Sequence, residues 1–180
     1  MNYRHRFHAG NAADIFKHYV LGELLAALAT KETPFCVIDT HSGGGLYRLK
    51  SPGEFEAGIG RLWPVRAEWP ALADLFVSVA AVNGRTLENY PGSPLLIARH
   101  LRAQDRAVFI ERHAEEAADL RENLRGRPRI AIHEADGYAM LKALVPPPEN
   151  RGLVFIDPPY EKPDEFEVLA KSLTDACRRW

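Results

Sequence analysis

Apolar residues follow two different patterns in the first 45 positions of the chain. At Ile15, Val20, Leu21, Leu24, Leu25 and Leu28 they keep helical spacing, which predicts a helix that Asn11 can cap and that Pro34 ends. Residues 35–39 form a short apolar run that closes on an acid, as a buried parallel strand does. A glycine-rich loop, Thr40-His41-Ser42-Gly43-Gly44-Gly45, follows this predicted strand.

The pattern changes over residues 46–104, which we interpret as a helical insertion. Tryptophan and proline punctuate its helical stretches, and the longest apolar one covers residues 71–82. Near its end, Ser93 suits the N-cap of another helix, and Pro94 suits the first helical position.

Strands and helices alternate after this insertion. The apolar runs 107–111, 130–133 and 153–156 predict strands, and residues 114–124 and 138–144 predict helices between them. Strands separated by helices predict an α/β fold with a parallel sheet, whose ligands bind at the carboxyl ends of the strands.

Composition and charge narrow the class of protein. The chain has 180 residues, 46% of them hydrophobic and 26% charged, which predicts a single domain over residues 1–180 with a proper core. Its formal net charge of -1 indicates no polyanion partner for the chain as a whole, so nucleic acid would need a local patch. The two cysteines have no metal-type spacing, and no apolar run is long enough to cross a membrane. We therefore expect a cytoplasmic protein without a metal site.

An acid follows or closes each of the four predicted strands, at Asp39, Glu111, Asp136 and Asp157. Four carboxylates at one sheet edge repel one another unless a ligand rich in hydrogen-bond donors lies among them. The glycine loop and an acid at the end of the second core strand would suit a cofactor with ribose hydroxyls, although the glycines could also make only a tight turn. Arg48 interrupts the G-x-G-x-x-G pattern, which argues against a nicotinamide enzyme.

The tetrapeptide Asp157-Pro158-Pro159-Tyr160 is the most specific motif of the chain. Two prolines after a buried strand remove two backbone donors and restrict the conformation, so the loop offers mainly acceptors. The Asp157 carboxylate and the Pro158 carbonyl can accept both N–H groups of an exocyclic amine, and Tyr160 can stack on a flipped base. The alternative is an ordinary proline-rich exit from a strand.

This tetrapeptide and its surroundings resemble the bacterial 23S rRNA adenine-N6 methyltransferase J family (RlmJ). The segments that carry the resemblance are residues 3–18, 39–45, 90–94, 134–137 and 153–160, together with Glu111. It implies a Rossmann-like class I methyltransferase fold that uses S-adenosylmethionine to methylate adenine N6 in 23S ribosomal RNA. Members of the family continue well beyond this tetrapeptide, so we expect a truncated core without their C-terminal strands, in which the fourth strand is an exposed edge or lies against another chain.

The resemblance also implies the roles of individual residues. Contacts with S-adenosylmethionine are expected at His18, His41, Ser93, Glu111, Asp136, Gly137 and Asp157. Glu111 would bind the ribose hydroxyls, Asp136 the adenine amine of the cofactor, and Asp157 would be catalytic. Tyr3 would contact the RNA. Other interpretations stay open, because Ser93 could be only a helix cap and both histidines could be satisfied core or surface side chains.

Basic and aromatic residues cluster in the N-terminal segment, at Tyr3, Arg4, Arg6, His8, Lys17 and His18. Such a composition suits phosphates and stacked bases, although a solvated polar tail would have the same composition. We expect a monomer that binds 23S ribosomal RNA. The alternatives are a DNA adenine or protein-glutamine amino-methyltransferase, or a non-catalytic fragment that binds the cofactor or RNA.

Overall fold

The computed structural model of the protein describes residues 5–160 and 163–180. In chain order its elements are α1 (His5–His8), α2 (Ala12–Ala29), β1 (Cys36–Asp39), β2 (Leu46–Arg48), α3 (Ile59–Leu62), α4 (Ala73–Ala81), β3 (Asn89–Pro91), α5 (Ser93–His100), β4 (Arg106–Glu111), α6 (Ala114–Asn123), β5 (Ile130–Glu134), α7 (Gly137–Leu144), β6 (Gly152–Phe155) and α8 (Glu165–Cys177). Short 3-10 turns join some of them. The chain forms two compact units, residues 31–44 with 101–180 and residues 1–30 with 45–100.

The unit of residues 31–44 and 101–180 contains a parallel sheet in the order β5-β4-β1-β6. All four predicted strands are confirmed, and each boundary lies within one residue of its expected position. Every residue of β1 is buried, as the apolar run predicts. The core on one face joins Cys36 and Ile38 of β1 with Val108 and Ile110 of β4 and with Leu141 of α7.

The strand order determines what surrounds the carboxyl end of β1. Because β1 lies between β4 and β6, the loop after it has a neighbouring strand on each side. Among the described residues, β6 pairs with β1 alone and therefore forms an edge of the sheet, as expected.

The unit of residues 1–30 and 45–100 is mainly helical. Asn11 caps α2 as predicted, because its side chain accepts a hydrogen bond from the Asp14 backbone at 2.8 Å. The helix ends at Ala29, earlier than the predicted stop at Pro34, and Thr30 caps its last turn. A core that includes Ile15, Phe76 and Leu96 joins α2, α4 and α5.

Two features of this unit differ from the expectation of a purely helical insertion. β2 and β3 form a small antiparallel sheet in which Tyr47 opposes Tyr90. The helix predicted to follow an N-cap at Ser93 starts at Ser93 itself, because the Gly92 carbonyl accepts the first-turn hydrogen bonds from Leu95 and Leu96. The insertion boundaries 46–104 within one domain stay a prediction.

No helix in residues 5–160 or 163–180 is long and apolar enough to span a bilayer.

Candidate active site

The loop after β1 is fastened to both neighbouring strands. The Thr40 amide donates to the Phe155 carbonyl of β6 at 3.1 Å, and the Ser42 amide donates to the Ile110 carbonyl of β4 at 3.0 Å. The Ser42 hydroxyl accepts from the Ile110 amide at 3.1 Å, so this buried side chain continues the pairing beyond the end of β1. Gly43 then turns the chain with φ at +61°, a conformation that glycine adopts at little cost.

Glu111, the last residue of β4, lies against this glycine loop. One of its carboxylate oxygens accepts from the Gly43 amide at 2.8 Å, and the other accepts from the His113 amide at 2.7 Å. The side chain is buried, and a carboxylate has about four acceptor positions, so two backbone donors leave acceptor capacity for a ligand. The acid predicted to bind ribose hydroxyls is thus next to the predicted cofactor loop.

Asp136 and Gly137 form the start of α7 beside the same loop. One Asp136 oxygen accepts from the Ala139 amide at 3.1 Å as a helix cap, and the other lies 3.6 Å from the Arg112 guanidinium. A Cβ on Gly137 would lie 2.0 Å from the Thr40 carbonyl oxygen, so only glycine fits at this close approach. Asp136 is therefore both a cap and a partly exposed acceptor.

The Asp-Pro-Pro-Tyr segment follows β6 at the same edge of the sheet. Asp157 is half-buried and Pro158 is buried, whereas Tyr160 is exposed. The backbone of Tyr160 has φ at +52°, which is uncommon for any residue other than glycine. Its ring lies 5.1 Å from the ring of Phe166 in the first turn of α8, and the exposure of both rings suits contact with a base.

His41, in the loop after β1, is subject to burial and to the charges of several acids. Its pKa is lowered by burial, while the negative charges of Glu111, Glu165, Asp136 and Asp157 act to raise it. Its Nδ1 lies 2.8 Å from the Thr40 hydroxyl, which fixes the ring at the start of the loop. The negative charges of these acids thus oppose the effect of burial on the His41 pKa.

Tyr138 and Glu165 form a cluster with His41, although sequence reasoning did not select them. The Tyr138 ring packs edge-on against His41 with centroids 4.9 Å apart, and its hydroxyl donates to the buried Glu165 carboxylate at 2.9 Å. Burial and this hydrogen bond raise the pKa of Tyr138 above its usual value, so the hydroxyl stays protonated. No motif marks either residue, because their pairing depends on how α7 packs on α8.

Two other predicted positions, His18 and Ser93, belong to the other unit. His18 and Ser93 belong to the mainly helical unit and are buried there. The Nδ1 of His18 lies 3.0 Å from the hydroxyl of the buried Tyr90, and the two rings stack, as a satisfied core histidine would. The cofactor roles of His18 and Ser93 therefore stay predictions from the resemblance. Tyr3 lies outside the described residues.

In the part of the chain that the structure describes, no group of three or more histidine, cysteine or acidic side chains is arranged to hold a metal ion.

A family model described as "Ribosomal RNA large subunit methyltransferase D, RlmJ" matches residues 32–180. The chain belongs to this family. The match includes the glycine loop, Glu111, the start of α7 and the Asp-Pro-Pro-Tyr segment. Membership in the RlmJ family confirms the resemblance inferred from these motifs.

Two relatives are named "Ribosomal RNA large subunit methyltransferase J". The protein from Haemophilus influenzae is 41% identical to this chain over 187 residues, and the one from Escherichia coli is 37% identical over 187 residues. Both comparisons cover 100% of this chain but only 66% of the relative. The chain therefore spans about two thirds of the length of these RlmJ relatives.

A crystal structure of a Legionella pneumophila protein is similar in fold. It superimposes with a TM-score of 0.92 at 38% sequence identity, covering 96% of this chain and 66% of the other. The likeness and the RlmJ family assignment confirm the predicted Rossmann-like α/β methyltransferase fold with a core of four parallel strands.

Proposed function

We propose that this chain is the S-adenosylmethionine-binding and catalytic core of a methyltransferase that modifies the N6 amine of an adenine in 23S ribosomal RNA. The observation that carries the proposal is that Glu111 and the start of α7 at Asp136 and Gly137 contact the loop after β1, at the sheet edge where the Asp-Pro-Pro-Tyr segment follows β6. The family assignment and the names of the two relatives support ribosomal RNA as the substrate class.

The residues present fit the proposed cofactor. Glu111 offers buried acceptor capacity to ribose hydroxyls, and Asp136 offers a partly exposed oxygen to an adenine amine. Gly43 lets the loop turn sharply, and Gly137 lets the start of α7 pack directly against Thr40 of the same loop. Bound there, S-adenosylmethionine would supply a methyl group for attack by a nitrogen nucleophile, with the methyl–sulfur bond breaking and S-adenosylhomocysteine leaving.

The substrate amine must be held by acceptors, because the lone pair of an adenine amine is delocalised into the ring. The Asp157 carboxylate and the Pro158 carbonyl would accept its two N–H groups, which localises the lone pair and directs it towards the methyl donor. Tyr160 would stack on the extruded base. When the nitrogen gains the methyl group it must release one proton, and the Asp157 oxygen that would accept an N–H would take it.

The test is binding and transfer in one preparation of this chain. We expect calorimetry to detect S-adenosylhomocysteine and labelled methyl to pass to unmodified 23S ribosomal RNA in preference to DNA or a glutamine peptide. Asp157→Ala should lower transfer by at least about 100-fold with the fold intact. Asp175→Ala on α8, which removes an ion pair with Arg178, is the matched control and should keep full activity.

Each departure from this result has a definite meaning. A folded chain that does not bind S-adenosylhomocysteine overturns the cofactor site, and transfer retained by Asp157→Ala overturns the role of Asp157. Binding without transfer by the unaltered chain favours the alternative of a non-catalytic chain that binds the cofactor. We also infer a cytoplasmic location from the proposed ribosomal substrate; the monomeric state stays a prediction.

A further inference from the structure

Two residues of α8 are buried, and they lie near its opposite ends. Ala176 belongs to the core that includes Leu141 and Val145, and the Arg179 guanidinium just beyond the helix donates to the Val145 carbonyl at 3.0 Å. Glu165, the first residue of the helix, is only 6% exposed. Apolar packing therefore anchors the carboxyl-terminal end of α8, whereas a carboxylate occupies the buried position at its start.

Tyr138 supplies the hydrogen-bond donor that this buried carboxylate requires. Its hydroxyl donates to Glu165 at 2.9 Å, and its ring packs edge-on against His41 with centroids 4.9 Å apart. A buried carboxylate without a donor would be unfavourable, so the burial of Glu165 depends on Tyr138. Among the described residues, no side-chain hydrogen bond from Asp164 caps α8, so Glu165 provides the side-chain attachment of its first turn.

Phe166, the next residue of α8, contacts the Asp-Pro-Pro-Tyr segment. Its ring centroid lies 5.1 Å from that of Tyr160, and the two rings are tilted by 32°. Successive side chains of a helix point about 100° apart, so the inward direction of Glu165 also determines the direction of Phe166. The contacts thus run from the loop after β1 through α7 and the start of α8 to Tyr160.

We propose that Glu165 is a positioning residue for the substrate base, which fixes the start of α8 and thereby the ring of Tyr160. This role rests on the proposed function, because it requires that the Asp-Pro-Pro-Tyr segment holds an adenine. Glu165 acts through Tyr138 and Phe166 and not by contact with the reacting atoms. The orientation of the base matters for the rate, because a misplacement of about 1 Å can cost about 100-fold.

The first test separates turnover from binding. Glu165→Ala should lower the kcat for methylation of 23S ribosomal RNA by about tenfold, because a poorly oriented base reacts more slowly. The KM for this RNA should stay within about twofold, because phosphate contacts supply much of the affinity for RNA. The affinity for S-adenosylhomocysteine should also stay within about twofold, because the predicted cofactor contacts are unaltered.

A matched control and a count of active molecules exclude a general loss of structure. Glu167→Ala removes an exposed carboxylate from the same first turn of α8 and should keep the full kcat. Calorimetric titration with S-adenosylhomocysteine gives the number of binding sites per chain. When kcat is expressed per binding site, a smaller folded fraction cannot imitate the loss of positioning.

Further variants test the hydrogen bond between Glu165 and Tyr138. Glu165→Gln keeps an oxygen that can accept from the Tyr138 hydroxyl, so its kcat should stay within about threefold of the unaltered value. Tyr138→Phe keeps the ring against His41 and removes only the hydroxyl, so it should lower kcat as much as Glu165→Ala does. Because both changes break the same interaction, combining Tyr138→Phe with Glu165→Ala should cost about tenfold and not about 100-fold.

Hydrogen exchange measures the attachment of α8 without RNA. The Val168 amide donates to the Asp164 carbonyl at 3.0 Å in the first turn of the helix. Exchange of this amide should accelerate by about tenfold in Glu165→Ala, because the turn then opens more often. It should stay unchanged in Glu165→Gln and in Glu167→Ala.

The outcomes distinguish this inference from the proposed function. If the unaltered chain methylates RNA and Glu165→Ala does so with the same kcat, the role of Glu165 is overturned. A loss of cofactor affinity as large as the loss of kcat would also overturn it, as would a Glu165→Gln variant no better than Glu165→Ala. If the unaltered chain transfers no methyl group to RNA, the proposed function fails. The exchange of the Val168 amide then still decides whether Glu165 fixes the start of α8.

Discussion

Replacing Gly137 by alanine tests how closely α7 must approach the loop after β1. The added Cβ would lie 2.0 Å from the Thr40 carbonyl oxygen and 2.9 Å from the Thr40 Cβ. The nearest atom belongs to the backbone, so no rotamer change can relieve the contact. Thr40 is itself held by its amide hydrogen bond to Phe155, which resists displacement of the loop.

The size of the effect follows from this distance. A carbon and a carbonyl oxygen in contact lie about 3.3 Å apart, so α7 and the loop must separate by about 1.3 Å. Overpacking costs about 1–3 kcal/mol, and the gain from replacing glycine in a helix is at most about 1 kcal/mol. Because the clash is with backbone, the cost lies at the upper end of this range, and we expect the free energy of unfolding to fall by about 2 kcal/mol. A displacement of about 1 Å at a binding site can lower activity by about 100-fold, so cofactor affinity should fall as well.

Urea denaturation and calorimetric titration with S-adenosylhomocysteine measure the two losses. Gly84→Ala is the control, because a Cβ at Gly84 meets no atom within 4 Å. It should leave both quantities unchanged. If Gly137→Ala is as stable as the unaltered chain and binds the cofactor equally well, the close approach of α7 to Thr40 does not shape the site and the reasoning is wrong.

Two further predictions concern the cluster around His41. Tyr138→Phe removes the hydroxyl that donates to the buried Glu165 carboxylate, so the free energy of unfolding should fall by about 1–3 kcal/mol in urea denaturation, whereas Tyr160→Phe at an exposed ring should change it by less than about 0.5 kcal/mol. Equal effects would contradict this assignment. Because burial lowers the pKa of His41 below 6.5, the unfolded chain binds its proton more readily, and stability should decrease as the pH falls through about 6.5. His41→Gln should make this decrease smaller. Urea denaturation at about pH 7.5 and 5.5 measures it, and an equal loss of unfolding free energy in both proteins would show that His41 is not its cause.

The parallel core could be predicted because its signals are local. Each strand is a short apolar run with an acid at or just beyond its carboxyl end. Because β1 is buried on both faces, its residues are continuously apolar, as in a buried parallel strand. The positions of Glu111 and Asp157 followed from the strand ends, since parallel strands bring their carboxyl ends to one edge.

The antiparallel pair β2 and β3 could not be predicted in the same way. Each strand has three residues, and one contains Pro91. About 40 positions separate the strands, so the sequence has no short hairpin turn that would predict their pairing. Tertiary packing around the buried Tyr47 and Tyr90 determines it. The contact of Tyr138 with Glu165 is hidden for the same reason, because 27 positions separate two ordinary helical residues.

The left-handed backbone of Tyr160 bears on which side chains this position can accept. For an L-residue other than glycine, asparagine or aspartate this conformation costs about 1–2 kcal/mol, and two preceding prolines leave the chain few alternatives. Glycine would remove the cost and also the ring. If all twenty amino acids are tested at position 160, the screen for stability should rank small flexible residues first. The screen for RNA methylation should rank residues with planar rings first, so the two orders should be opposite.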